Sequence, residues 1–327
     1  MRKANFFYVF IFAISLVACN LFPDYSGKLA TSEGSLNEVA IFMANDLWHG
    51  EIGDSLREKL ANPIDGLVNE ESALLLKQYA PNAIDATAKK MRNIVVIEMA
   101  DENEFIHVEN EFATPQNVFY FRGESQADLL ELISLHGEVV ENSIRFYELL
   151  QIQSKIGTHI FNDSHIKNRF QISLLIPDSY NYALTAPHFV WLKRNTQTGS
   201  NSLMIYQIPA SRFNNAKNIT QNFIEVRDSI TKKYVHGVAS NSHMYVNTSF
   251  SPFVKKTFFN EEIGALEFRG TWDLSNDYME GPYLCYLFTI DEGKNYLFLD
   301  GFIYNPALPN RADVFELEAI MKSIYFN

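Results

Sequence analysis

The sequence predicts an α+β fold, with mainly antiparallel sheets covered by helices, arranged as two lobes or as one integrated two-lobed domain. Short β-branched and aromatic runs alternate with helical stripes in the first half of the chain. Strand runs cluster in the second half, where helices follow groups of strands. The 327 residues are 47% hydrophobic and contain only two cysteines, which excludes a disordered chain and a disulfide scaffold. A net charge of −12 argues against any nucleic-acid partner, because such binding is carried by phosphate neutralisation.

The chain opens with Arg2 and Lys3, followed by an apolar stretch from Phe6 to Val17. That stretch is the length of a signal-peptide core and too short to span a bilayer. Leu16-Val17-Ala18-Cys19 resembles the bacterial lipobox, which implies cleavage after residue 18 and lipid attachment at Cys19. Losing residues 1–18 removes two cations and no acid, moving the charge from −12 to −14. Membrane attachment must then come from the lipid, since such a body gains nothing from anionic headgroups. Asn20 follows the cysteine where aspartate would signal inner-membrane retention, so the expected place is the outer membrane, facing the periplasm. Residues 19–36, with Pro23, Gly27 and Gly34, read as a lipidated flexible tether.

An N-terminal α/β lobe is expected over residues 37–160. Glu38 to Met43 reads as a strand, and Ile52, Leu56 and Leu60 mark one helix face that stops at Asn62-Pro63. A second helix is expected from Ala83 to Met91, then strands at Asn93–Glu98 and Asn117–Phe121. The longest periodic segment follows, from Ser125 as N-cap to Gly157 as stop, with Leu129, Ile133, Val140, Ile144, Tyr147 and Leu150 on its stripe. It crosses the lobe or bridges both, and Gly137 is a candidate bend.

Residues 161–327 are expected to form a C-terminal α+β lobe. Strands are expected at Phe170–Ile176, Phe189–Lys193 and Leu203–Ile208, then a helix capped by Asn218 and running to about Tyr234. Ala265–Trp272, Tyr283–Thr289 and Tyr296–Tyr304 read as a meander, the last two joined by Asp291-Glu292-Gly293-Lys294. A final helix starts at Asn310, with Val314, Leu317, Met321 and Ile324 inward.

Chemistry is sparse. There is no phosphate loop, dinucleotide fingerprint, nucleophile elbow or His-Glu-x-x-His pair, and the eight histidines lack ligand spacing, so no catalytic residue, metal or cofactor is assigned. Cys285 sits in an apolar strand run and reads as a buried small hydrophobe. Asp228 and Lys232 have the spacing of a surface ion pair. Asp300 shares its strand face with Tyr296 and Phe298, so its carboxylate needs a partner, for which Arg269 is the expectation. Trp191, Arg227, Asp228, Arg269, Trp272 and Asp300 are the candidate binding surface.

Several segments together carry a resemblance: Asp46-Leu47-Trp48, Arg92-Asn93-Ile94, Phe189-Val190-Trp191, Arg227-Asp228-Ser229 with Lys233-Tyr234-Val235, Ser242 with Met244, Arg269-Gly270 with Trp272, Gly281-Pro282, Asp300-Gly301-Phe302 and Leu317-Glu318-Ala319-Ile320. The chain resembles a family of Bacteroidota lipoproteins defined as a domain of unknown function, DUF4837. A departure is His236-Gly237, where the family pattern is closer to Pro-Gly. The resemblance implies a lipoprotein and one evolutionary unit, and supplies no catalytic residue. The resulting expectation is a non-enzymatic binding or assembly lipoprotein whose partners are the membrane, through its lipid, and another envelope protein. The alternatives are a periplasmic protein binding a glycan or small ligand in an aromatic cleft around Trp191, Trp272 or Asp300, and an envelope hydrolase.

Overall fold

The computed structural model describes residues 29–66, 71–214, 216–259, 263–307 and 309–327. The expected signal segment and Cys19 lie outside these residues. In chain order the first half contains β1 (Ala30–Thr31), β2 (Glu38–Phe42), α1 (Asn45–Trp48), α2 (Glu51–Leu60), β3 (Leu75–Tyr79), β4 (Asn93–Met99), β5 (Glu104–Glu109), β6 (Ala113–Thr114), β7 (Asn117–Gly123) and α3 (Gln126–Ile156). The second half contains α4 (Ser164–Phe170), β8 (Ile172–Ser173), β9 (Asn181–Ala186), β10 (Phe189–Asn195), β11 (Ser200–Pro209), α5 (Ile219–Tyr234), β12 (Met244–Val246), β13 (Phe253–Phe258), β14 (Gly264–Leu274), β15 (Glu280–Ile290), β16 (Asn295–Tyr304), α6 (Arg311–Lys322) and β17 (Tyr325–Phe326). The fold is α+β, as its sequence pattern predicts.

Five strands form the first sheet, in the order β3-β2-β4-β7-β5, parallel except for β5. Alternate residues serve its two faces. Val39, Ile41, Val95, Ile97, Phe119 and Phe121 pack under α2 and α3. Ala40, Phe42, Ile94, Val96 and Val118 pack beneath Ile84, Ala88, Met91 and Phe112. That second cover is not the helix expected over Ala83–Met91. Pro81–Ala83 and Ala88–Lys90 are single 3-10 turns, and the Asp85 carboxylate accepts the Thr87 and Ala88 amides between them, giving the backbone a turn in place of a helix.

The Ser125 side chain caps α3 as expected, accepting the Asp128 amide at 3.2 Å. Gly137 lies where α2 crosses, because a Cβ there would sit 2.8 Å from Lys59 Cβ; its role is close approach of the helices. At about 1.5 Å per residue the 31-residue helix is long enough to leave the first sheet and reach the second. Its last turns, with Leu149 and Ile156, join the core beneath the second sheet. Leu150 is exposed, and Glu148 and Leu149 take the buried stripe in its place.

The second sheet is antiparallel, in the order β12-β14-β15-β16-β11-β10-β9, with β13 continuing the outer edge of β14, and it curls into a half-barrel. One face, with Val190, Leu192, Leu203, Ile205, Leu297 and Leu299, meets α6 and the end of α3. The other, with Phe189, Met204, Tyr206, Phe268, Cys285 and Phe298, meets Phe223 and Val226 of α5. The capping box between Asn218 and Gln221 starts α5, and the Asp291–Gly293 turn takes positive φ as the hairpin requires. The strand expected from Phe170 shrinks to Ile172–Ser173. Ile166 and Phe170 lie one helical turn apart and bury together, so α4 claims Phe170 and Gln171 ends it at φ 56°.

Two straps join the halves to themselves and each other. The tether expected over residues 19–36 ends sooner, since Ala30 and Thr31 pair with Ala113 and Thr114, Glu33 exchanges backbone bonds with Lys90 and Arg92, and Arg92 Nη2 donates to Ser35 O. The Glu71 carboxylate caps α6, accepting the Asn310 and Arg311 amides at 2.7 and 2.8 Å, where the helix dipole favours negative charge.

Candidate functional site

The register of the second sheet sorts its charged residues. Phe268, Cys285 and Asp300 lie in one cross-strand row, while Arg269, Leu284 and Gly301 lie in the next. Successive residues point to opposite faces, so Asp300 faces α5 and Arg269 faces α6. The expected Arg269–Asp300 pair is therefore not formed, and β15 separates the two strands as well.

Asp300 is held by Arg227 of α5. Nε donates to Oδ2 at 3.0 Å, Nη2 donates to Oδ1 at 3.2 Å, and the Tyr206 hydroxyl donates to Oδ2 at 3.2 Å. Both charged side chains are 0% exposed, and the guanidinium lies 4.2 Å from the Tyr283 ring centroid. Burial pushes the Asp300 carboxyl up, against the pull of Arg227. Burial is the largest influence on the guanidinium and lowers it, but Asp300, Tyr283 and Tyr206 together raise it by more, so it stays protonated. Burial also pushes the Cys285 thiol well up, which leaves it a packing residue. Asp228 does not pair with Lys232; its carboxylate accepts the Val246 amide at 2.8 Å and ties α5 to β12.

The aromatic cleft expected around these residues is closed. Trp272 is 1% exposed and donates its indole N–H to Ile303 O at 3.1 Å, and Asp300 is fully buried. Trp191 alone among the candidate aromatics is half-buried, lying against Phe302.

On the opposite face, Glu318 of α6 gathers three cations. Arg269 Nη2 lies 2.9 Å away, Arg145 Nη2 of α3 3.1 Å and Lys322 Nζ 3.8 Å. Arg269 also pairs with Glu267, which Lys255 of β13 approaches at 3.7 Å. Burial opposes the charge on Glu318, but Arg269, Arg145 and Lys322 outweigh it and hold the carboxyl far below the usual range. This centre opens to solvent. Its Arg145 and Arg269 line a cleft of about 490 Å³ between the two halves, together with Asp65, Glu138, Glu141 and Lys255. Burial raises the Glu141 carboxyl there, against Arg145 and Lys255. Next to Asp65, Gly66 packs tightly on β14, where a Cβ would lie 2.6 Å from Gly270 N.

A third buried acid, Glu148, accepts from Arg92 Nε at 2.6 Å and Asn93 Nδ2 at 2.7 Å. It sits at the amino ends of the parallel strands, opposite the end where open α/β sheets bind ligands, and reads as a clamp. Sequence reasoning passed over Glu148, Glu318 and Arg145. The available signal was an acid embedded in an apolar helical stripe, as in Leu317-Glu318-Ala319-Ile320. No group of three or more His, Cys, Asp or Glu is placed to hold a metal among the described residues, and none of their helices is long and apolar enough to cross a membrane.

Residues 159–323 match a domain of unknown function, DUF4837, and residues 32–157 match a second, DUF8532. No curated protein matches the chain. Among solved structures it is similar to a point mutant of the protein Mog1 at 7% identity and TM-score 0.31, over 48% of this chain and 90% of that one. The Ran-binding protein Mog1p of Saccharomyces cerevisiae gives 6% identity and TM-score 0.31 over the same shares, 48% and 90%. The human StarD13 lipid transfer and protein localization domain gives 12% identity and TM-score 0.18, over 45% and 89%. The two family matches meet at the end of α3, so the charged cleft draws Arg145 from one and Arg269 and Glu318 from the other. With half of its length matched, the chain belongs to the DUF4837 family.

Proposed function

We propose that this protein is a lipid-anchored, non-enzymatic binding component of the bacterial outer membrane, held on the periplasmic side by Cys19 and engaging an envelope partner through the cleft between its halves. The observation that carries the binding reading is the Glu318 centre. It fixes Arg145 and Arg269 in place while leaving Arg145, Glu141 and Lys255 open to a polar partner. Charged groups already immobilised lose little entropy on binding. The buried acid Asp300, placed by sequence on a candidate binding surface, is sealed from any substrate by Arg227, Tyr206 and the aromatic core.

The anchor reading rests on the order of Arg2-Lys3, the apolar run and Leu16-Val17-Ala18-Cys19. The test is gentle detergent extraction of the tagged full-length protein from its own membranes, followed by identification of stoichiometric companions. A partner lost in Lys255→Glu, with the protein released from membranes in Cys19→Ser, is the expected result. Recovery of the wild-type protein alone and unlipidated would overturn both parts.

A further inference from the structure

A second hollow, sharing no lining residue with the cleft, lies where α5 runs into β12. Its volume is about 520 Å³, and Lys232, His236, Gly237, Asn241, Ser242 and His243 line it. Three of these side chains carry or can take up positive charge, and none is a carboxylate. Ser242 is 2% exposed, yet its hydroxyl has no hydrogen-bond partner. An unpaired buried hydroxyl is costly unless something at that position uses it. Gly237 stands directly against it, since a Cβ on residue 237 would lie 2.4 Å from Ser242 Oγ. Any side chain at 237 would displace the hydroxyl, so the glycine leaves Ser242 Oγ in place.

The two imidazoles are oriented in a matching way. His236 Nε2 lies 3.1 Å from Lys232 O, and His243 Nδ1 lies 3.3 Å from Asn241 O and 3.0 Å from Ser275 Oγ. The Lys232 carbonyl only accepts, so His236 carries its proton on Nε2; His243 is engaged through Nδ1, where the Asn241 carbonyl accepts and the Ser275 hydroxyl can donate or accept. Opposing charge comes from Asp228 on α5, from Asp277 in the β14–β15 turn beside Gly237, and from the carbonyl end of α5. Lys232 offsets it from the same helix end.

The geometry points to an oxyanion site here, taking a phosphoryl group between Lys232, His236 and His243 with Ser242 Oγ as a fixed hydroxyl donor. Free phosphate and a phosphate ester of the envelope share that chemistry.

The test is histidine-labelled full-length protein in detergent, titrated by NMR with inorganic phosphate and, in a separate arm, with the diester methyl glycerol phosphate. Saturable shifts of both the His236 and His243 signals are expected. Ser242→Ala should weaken binding about fivefold, the worth of one hydrogen bond, and His236→Gln should weaken it by at least as much. Saturation by phosphate alone assigns the site to free phosphate, and saturation by both assigns it to esters as well. Non-saturable shifts, or unchanged affinity in both variants, would overturn the site. The Lys255→Glu variant should bind phosphate normally, which separates this site from the cleft.

Discussion

Two charged centres occupy opposite faces of one sheet, a single residue apart in register, and their surroundings differ completely. Around Asp300 the protein supplies one cation, one hydroxyl and an aromatic wall, and water is excluded. Around Glu318 it supplies three cations and a second acid, and one side stays wet. Burial of a charge is thus a poor guide to function on its own. The informative property is whether the neutralising partners also reach solvent, as Arg145 does and Arg227 does not.

The largest expected effect breaks the sealed centre. Asp300→Ala leaves Arg227 buried without a counter-charge and should cost about 3–5 kcal/mol, measured by urea unfolding of the full chain. The double change Arg227→Met with Asp300→Leu should recover most of that loss, because the ion pair repays little beyond its own desolvation. If the double variant is as unstable as the single one, Asp300 contributes something other than charge compensation.

Glu318→Gln should cost less, about 2 kcal/mol, since Glu267 still faces Arg269 and Arg145 keeps contact with water. The two centres also differ in the sign of their pH dependence. The Glu318 carboxyl is depressed in the fold, so its stabilisation is complete above its ordinary value of 4.5 and is lost as pH falls toward the folded value. The Asp300 carboxyl is raised, so its contribution is largest below its ordinary value of 3.8 and declines as pH rises through the folded one. The acid limb of the stability profile should therefore flatten in Glu318→Gln by up to one proton, about 1.4 kcal/mol per pH unit. An unchanged limb would mean that Glu318 is not the acid that limits stability there.

The smallest effect lies at the rim. Lys255→Ala removes a half-exposed cation 3.7 Å from Glu267 and should change stability by less than about 0.5 kcal/mol while reducing capture of the proposed envelope partner. A large loss of stability would move Lys255 from the recognition surface into the structural network.

Much of the architecture was legible because local chemistry and tertiary packing agree. Ser125, the Asn218–Gln221 box and the Asp291–Gly293 turn each close their element through neighbours in sequence. The strands β3, β5 and β9 carry mixed, half-exposed side chains at sheet edges, where no periodic stripe is required, and they were not foreseen. The Arg269–Asp300 pairing failed for a sharper reason. Strand order is not encoded locally, and an error of one residue in relative register sends a side chain through the sheet. Arg227, Arg269, Trp272 and Asp300, expected on a binding surface, are buried, because burial depends on which helix covers which face. Glu318 and Arg145 meet across 173 residues of sequence, a distance no motif spans.

The strap at Ala30–Thr31 changes the mechanics of any anchor at Cys19. Ten residues separate Cys19 from Ala30, and fully stretched they reach at most about 36 Å. A lipidated molecule hung from so short an arm pivots close to its membrane and presents the β1–β6 corner first. Its collisions with neighbours in the same leaflet become frequent and repetitive, while objects deeper in the compartment stay beyond its swing. Affinity for a partner need then be only modest, because confinement to a thin layer raises the concentration at which the two meet.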